Sequence, residues 1–489
     1  MRYMDTLFYK KNMDMSPHNQ SFKVLAVKGV AAISFQNVLL QGIWFFTSIV
    51  LLNAISVTEF SILKIVFATI AVPSALFIAG LDPIILADMG VERERGNMGV
   101  VKSLFRAYII FELVAACCIW IGFVFFLSLF KQYFEYSSVG TLVSQSGSLH
   151  NTYQYLFAAS FTIFSKPLQN IYIQFFSLYF QFTRVTYVKL FDELVTLGAT
   201  VYFVFFLHQG IYAVILIQIV SPFVALALTT PAVIALYKKQ LHEVKSESAD
   251  FFARIKAHGK WSIGSAYVMK VTDALHLYFI DQFIGRPAVA IFSLADALWG
   301  HLISLFPIKS ILDTVVPQRS LDETVARNNL IRGIKYSFLG FMILGSGAAI
   351  GGYPFLYMFF PKYIQSFPVF LGLLLLIPRI AFSSALAPLL RAYKYQFVGF
   401  TAACISLFFT TVFAYILYPV FGMKGVVCEV VLTSSVYVYI NYVLFIKKYP
   451  AFRIQCREIF SWDAYDSELI GIAIKGFWIG LNKIRRKNV

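Results

Sequence analysis

The chain has 489 residues, of which 59% are hydrophobic and 13% charged, and its mean hydropathy is +0.71. Soluble domains average about 45–50% apolar and about 25% charged residues, so these figures exclude a water-soluble protein and describe an integral membrane protein. The net charge of +16 does not point to nucleic acid, because the Lys and Arg residues lie in short loops between apolar stretches, where the positive-inside rule places them.

The N-terminal stretch MRYMDTLFYKKNMDMSPHNQ is too polar for a signal peptide, so the first apolar stretch is expected to act as an uncleaved anchor. A span needs about 20 apolar residues. Twelve spans are expected, at roughly 29–52, 60–86, 103–130, 153–176, 187–207, 211–237, 261–284, 289–316, 334–360, 367–390, 398–418 and 425–446. Of the 41 basic residues, Lys131, Arg286, Lys362 and Lys424 fall in loops on one side. Lys64, Lys166, Lys270, Lys309 and Arg379 fall within spans, and the other 32 lie on the opposite side. That side is expected to be cytoplasmic and to hold both termini. The longest outer loop, 131–152, has one acidic residue, Glu135, so no outer domain is expected to host catalysis and the chain reads as a non-enzyme. Cys117, Cys118, Cys404 and Cys428 sit in spans and Cys456 in the basic tail. Neither a disulfide framework, a metal site nor a cofactor is expected. The tail segment 469–484 is apolar but short and carries Lys475. It reads as an amphipathic helix lying on the inner leaflet rather than a thirteenth span.

The basic loop 238–260 divides the spans into two sets of six. The division gives an N-terminal tail (1–22), a first bundle (23–237), a linker (238–260), a second bundle (261–446) and a C-terminal tail (447–489). The sets match. Lys28 precedes Lys260 by 232 residues, and Phe60-Ser61 and Phe292-Ser293 share that offset. Leu81-Asp82 and Leu312-Asp313 match at 231, and Pro167 and Pro378 at 211. Six spans per unit is even, so the repeat is parallel about an axis along the membrane normal, a plan that places a site between the halves near mid-bilayer. The expected fold is an all-α membrane protein of about 12 helices in two six-helix bundles around a central cavity.

The seventh and eighth spans are the most polar. They carry Lys270, Asp273, Asp281, Asp296, Lys309 and Asp313, with His276 and His301 between. An ionisable group at bilayer depth costs several kcal/mol and normally faces a bundle interior or a wet cavity. Lys270, Asp273, Leu277 and Asp281 share one helical stripe, so that stripe is expected to line a polar path.

Twelve spans in two similar halves resemble the polysaccharide flippase branch (O-antigen type) of the multidrug/oligosaccharidyl-lipid/polysaccharide exporter superfamily. The run LLNAISVTEFSILKIVFATIAVPSALFIAGLDPIILADM (51–89), the charged loop VERERGN after it, and the Gly-x-x-Gly turn FGMKGVV (421–427) carry the same resemblance. It covers about residues 22–446. It implies alternating access in a bacterial cytoplasmic membrane, with a polyprenyl-pyrophosphate-linked sugar repeat unit as cargo moved from inner to outer leaflet. Membrane lipids, a polysaccharide polymerase and a chain-length regulator are the partners it implies, and nucleic acid is not among them.

A pyrophosphate leaving the headgroup region needs cations inside the cavity. Lys166 and Arg379 adjoin the repeat-matched prolines, and Lys270 lies on the polar stripe. These three are the expected pyrophosphate ligands, against the alternative of structural ion pairs. Asp273, one turn from Lys270, reads either as a coupling carboxylate or as the partner of a self-neutralising bridge. Asn37, Gln41 and Trp44 form a stripe suited to sugar rings or to interhelical hydrogen bonding. Lys64 and Asp296 match at the 232 offset and are expected to bind cargo or close an outer gate, unless Lys64 snorkels; Lys309 is expected to snorkel. His276 and His301 read as packing residues.

A multidrug exporter of the same superfamily is the competing transporter reading; it would rely on acidic cavity residues. A membrane glycosyltransferase or polymerase would need catalytic outer loops, which are absent from the sequence. No Walker motif occurs, so this chain hydrolyses no ATP of its own. The charge bias predicts that an impermeant thiol reagent labels a cysteine at Ser146, and not at Ser246, in intact cells of a Cys-free background. Labelling at 246 alone would reverse the orientation.

Overall fold

The computed structural model describes residues 22–75, 81–136, 149–179, 181–247, 250–306, 323–462 and 466–467. Lys309, Asp313, Ser146 and the expected amphipathic helix at 469–484 lie outside the described residues. The first half contains α1 (Phe22–Ala54), α2 (Val57–Ser74), α3 (Asp82–Glu94), α4 (Met98–Tyr136), α5 (Leu149–Ser160), α6 (Thr162–Leu178), α7 (Phe182–Ala199) and α8 (Gly210–Gln240). The second contains α9 (Lys260–Phe283), α10 (Arg286–Ser304), α11 (Glu323–Phe359), α12 (Ser366–Leu373), α13 (Ile377–Ala392), α14 (Gln396–Phe421) and α15 (Met423–Lys448). The short α16 (Cys456–Phe460) follows.

All regular structure among the described residues is helical, and each of the twelve expected spans coincides with helix over its described part. Among the described residues, nine stretches are long and apolar enough to cross a membrane. The spans that fall short are informative. The rod α5–α6 is broken at Phe161, α7 carries Arg184, Lys189, Asp192 and Glu193, and α9 carries Lys270, Asp273 and Asp281. Large apolar side chains such as Phe125 (76% exposed) and Ile350 (82%) point outward, which suits a surface bathed in hydrocarbon.

Packing divides the helices into two bundles joined at one end. One core runs through both, with Phe60, Val66 and Ile215 from the first half and Ile280, Phe292 and Phe370 from the second. It lies at the end where loops carry few charges. At the basic end the cores are separate, with Leu81, Tyr108 and Phe175 in one and Leu330, Leu386 and Phe445 in the other. The two bundles thus share a core at the charge-poor end and keep separate cores at the basic end, while α1 and α10 stay in contact as far as Ser304.

Helix α2 makes the join. Its start is fixed by a capping box, in which Ser56 Oγ accepts from the Glu59 N–H (3.2 Å) and Glu59 Oε2 from the Ser56 N–H (2.8 Å), satisfying two orphan donors reciprocally. It then packs along α9 and α10. Ser61 Oγ donates to the Arg286 carbonyl at 2.7 Å, and Phe60 meets Tyr363 edge-on at 5.9 Å. Beside it, Asn53 Nδ2 donates to the Phe359 carbonyl (3.1 Å), and Lys362 Nζ donates to the Asn53 carbonyl (3.0 Å). The repeat-matched dipeptides Phe60-Ser61 and Phe292-Ser293 are all buried, on the two equivalent helices α2 and α10 that touch here.

Elsewhere the linker and tail are tied down. Lys102 Nζ donates to the Val244 carbonyl (2.8 Å), holding the linker on α4. Arg327 grips Glu458 at 2.7 and 2.8 Å, and buried Lys335 reaches Asp466, docking the tail on α11. Between α14 and α15, Gly422 has φ +55° and ψ −132°, a conformation that favours glycine. A Cβ on Gly425 would lie 2.2 Å from the Leu417 carbonyl oxygen. Gly425→Ala is therefore expected to force α14 and α15 apart, costing about 1–3 kcal/mol or more, read as a lower Tm and lower membrane yield. An unchanged Tm would mean that the helices separate at no cost.

Candidate functional site

Where the bundles begin to part, α2, α6, α8 and α9 enclose a cavity of about 330 Å³ lined by Phe67, Ser74, Lys166, Asn170, Gln218 and Lys270. Lys166 and Lys270 come from opposite bundles. Lys166 is presented by α6, which restarts after the break at Phe161 and loses a helix N–H at Pro167. Its Nζ stands 3.8 Å from Asp192 Oδ2 on α7, with the side chain 51% exposed; Gln169 Nε2 donates to the same oxygen at 2.8 Å. Lys270 Nζ pairs with Asp273 Oδ2 at 2.8 Å, and both side chains remain half open.

Asp296 on α10 is exposed toward the same region and lies within electrostatic reach of Asp273, Lys64, His276 and Lys270. Lys64 stands over the Phe60 ring at 5.1 Å. It and Asp296 feel each other's charge without closing to an ion pair. Arg379 lies in the first turn of α13, behind a tight turn at Leu374–Leu376 and Pro378. Its Nε is buried with no hydrogen-bond partner among the described residues, and Tyr437 and then Asp273 act on it electrostatically. The structure therefore gathers Lys64, Lys270, Asp273, Asp296 and Arg379 into one charged neighbourhood, with Lys166 across the cavity.

The stripe Asn37, Gln41 and Trp44 is engaged in joining α1 to α10. Asn37 Nδ2 donates to the Ser304 carbonyl (3.0 Å), Gln41 Nε2 donates to Ser304 Oγ (2.5 Å), and Trp44 lies against His301. Gln41 and Trp44 also edge a second cleft of about 580 Å³, otherwise almost wholly apolar, between α1, α10 and α11. It adjoins the outward face of α11 that bears Ile343 (72% exposed) and Ile350.

No family model matches the sequence, and no curated protein matches it. Solved structures do match the fold. An inward-facing multidrug resistance MATE family transporter of the MOP superfamily aligns at TM-score 0.66 and 13% identity, over 86% of this chain and 98% of that one. An outward-facing one aligns at 0.64 and 15%, over 87% of this chain and 96% of that one. A MOP superfamily transporter from Pyrococcus furiosus aligns at 0.64 and 15%, over 88% and 96%. This chain has the fold of the MATE transporters. Of these neighbours, the first is described as inward-facing and the second as outward-facing.

Within this MATE fold one expectation needs correcting. Asp281 does not extend the polar stripe into the cavity. It is buried and stands 3.8 Å from Arg286, because the turn at Gly285 folds the start of α10 back over the end of α9. Two groups escaped the sequence reading. His276 Nδ1 lies 2.9 Å from Glu429 Oε2, and Glu429 is fully buried on α15. On α4, buried Glu112 has no hydrogen-bond partner for either oxygen among the described residues, near an Asp82 that accepts from Tyr108 at 2.7 Å. The available signal was a lone acid in each apolar span, which names no partner. The clasp predicts that a double-mutant cycle of Gln41→Ala with Ser304→Ala in thermal unfolding gives a coupling of about 0.5–1.5 kcal/mol; strictly additive effects would remove the bond.

Proposed function

We propose that this MATE-fold transporter moves a polyprenyl-pyrophosphate-linked oligosaccharide repeat unit from the inner to the outer leaflet of a bacterial cytoplasmic membrane. The observation that carries the reading is Arg379, a mid-span guanidinium with a bare, buried Nε and no ion pair among the described residues. Such a group is expensive in hydrocarbon. A visiting anion that pairs with it bidentately offsets that expense.

In this reading Lys166, Lys270 and Arg379 hold the pyrophosphate, with Lys64 beyond them. The apolar cleft beside α11 takes the prenyl chain, and Gln41 and Trp44 at its rim, with Asn37 one turn away on α1, meet sugar hydroxyls and ring faces. Asp273 and Asp296 adjust the charge of the site as cargo comes and goes. The basic end is the cytoplasmic one, so the split between the bundles receives cargo from the inner leaflet. The Pyrococcus furiosus neighbour is described as having a binding pocket of reverse polarity that suggests a different function, so pockets of more than one polarity occur on this fold. A multidrug exporter remains the second reading, and a cationic drug would meet repulsion from these four cations.

Arg379→Ala and Lys270→Ala are each expected to abolish surface polysaccharide while protein reaches the membrane in normal amount. Each loses a charge-assisted contact of about 1.5–3 kcal/mol, roughly ten- to hundredfold in affinity. Arg379→Lys should recover part, keeping charge without the fork. Protein level and export are measured in the same cells. Full export by both alanine variants would remove these residues from the site; export lost together with protein would make them structural.

A further inference from the structure

The second bundle holds ionisable groups that the cargo reading leaves unused. Glu429 on α15 is fully buried. Its Oε2 accepts from the Tyr418 hydroxyl of α14 at 3.1 Å, and its Oε1 accepts from Thr433 Oγ1 at 3.0 Å. Facing it, His276 Nδ1 is 2.9 Å away, and the His276 side chain is only 12% exposed. A carboxylate removed from water is strongly destabilising when unpaired. Histidine is the partner whose charge changes with physiological pH.

His276 also stands one turn beyond Asp273 on α9, the helix that carries Lys270 into the cavity. The groups that face it are Glu429 from α15, Tyr418 from α14, Asp273 from its own helix and Asp296 from α10. Through Asp296 it is linked to Lys64 of α2, and through Asp273 to Arg379 of α13. The imidazole thus contacts a sealed acid directly and lies within electrostatic reach of the charges around the cavity.

We propose that the His276–Glu429 pair is a proton-binding site that sets the charge of the cavity, and with it the affinity for a pyrophosphate-bearing lipid. A proton taken from the water of the cavity binds the imidazole and brings the pair from one negative charge to none. The positive charge gained lies beside Asp273 and Asp296. It relieves their repulsion of an anion held by Lys270 and Arg379. Linkage is reciprocal, so a bound pyrophosphate holds the proton by the same factor. Proton and cargo therefore strengthen each other, and cargo affinity rises as pH falls through the titration of the pair. The cargo half of this inference rests on the function proposed above; the proton half does not.

The test uses the full chain in lipid nanodiscs. Its first arm follows histidine side chains by ¹⁵N NMR from pH 5 to pH 9, with His276→Gln identifying the resonance. His276 is expected to change protonation in this window, and its titration is expected to move in Glu429→Gln. A His276 that keeps one protonation state throughout would overturn the proposal. The second arm measures equilibrium binding of a short-chain polyprenyl pyrophosphate across the same pH range. Titration of the probe itself acts equally on all variants, so the comparison is with His276→Gln, whose amide can still hydrogen-bond Glu429. The wild-type protein is expected to tighten on acidification by about fivefold or more beyond that variant, the lower end of common coupling factors. Equal pH dependence in the two proteins would overturn the coupling. If the probe binds at no pH while His276 titrates against Glu429, the proton site stands and the anionic-cargo reading falls.

Discussion

A charged side chain in hydrocarbon has to be paired, hydrated or held for a visiting ion, and the arrangement of this protein follows from how each such group is treated. Asp281 is covered by Arg286, Glu429 is met by His276, Lys166 leans toward Asp192, and Lys270 bridges to Asp273. Among the described residues Arg379, Lys64 and Asp296 are left outside close ion pairs, and all three lie within electrostatic reach of the Lys270–Asp273 pair or of one another. Burial cost therefore selects which helices turn inward. The rods that carry these charges, α6, α7 and α9, are also among those too polar or too broken to read as simple membrane spans.

The same requirement explains the shape of the join. At the charge-poor end, apolar side chains of both bundles fuse into one core, with α2 as the shared element. Its polar contacts to the other half use Ser61 and Thr69, small hydroxyls on a largely apolar helix. Interhelical hydrogen bonds of this kind contribute modestly in a membrane, so the join is one that a conformational change can break. At the basic end each bundle keeps its own core. Separation there leaves both bundles intact, which rigid-body rocking requires.

Local interruptions place the functional groups. The break at Phe161 and the turn at Leu374–Leu376 fall shortly before Pro167 and Pro378, the prolines matched by the internal repeat. Each re-aims the following turn, so Lys166 leaves its rod at the cavity and Arg379 comes within electrostatic reach of Asp273. At the FGMKGVV turn the two glycines do different work. Gly422 supplies a backbone conformation closed to other residues, and Gly425 allows a helix to pass a carbonyl oxygen at contact distance.

The sequence by itself determined the helical spans, their order, the charge asymmetry between their ends, the internal repeat, and the positions of Lys64, Lys166, Lys270 and Arg379 along the helices. These are legible because hydrocarbon applies one rule to every residue in turn, and a rule applied residue by residue leaves a one-dimensional pattern. Only the tertiary structure decided who meets whom. It paired His276 with Glu429, turned Asp281 away from the cavity, tied Asn37 and Gln41 to Ser304, and left Arg379 without a carboxylate. Such pairings depend on the rotation and crossing of helices far apart in the chain. A shift of a few ångströms changes the partner while leaving hydropathy, spacing and charge count as they were.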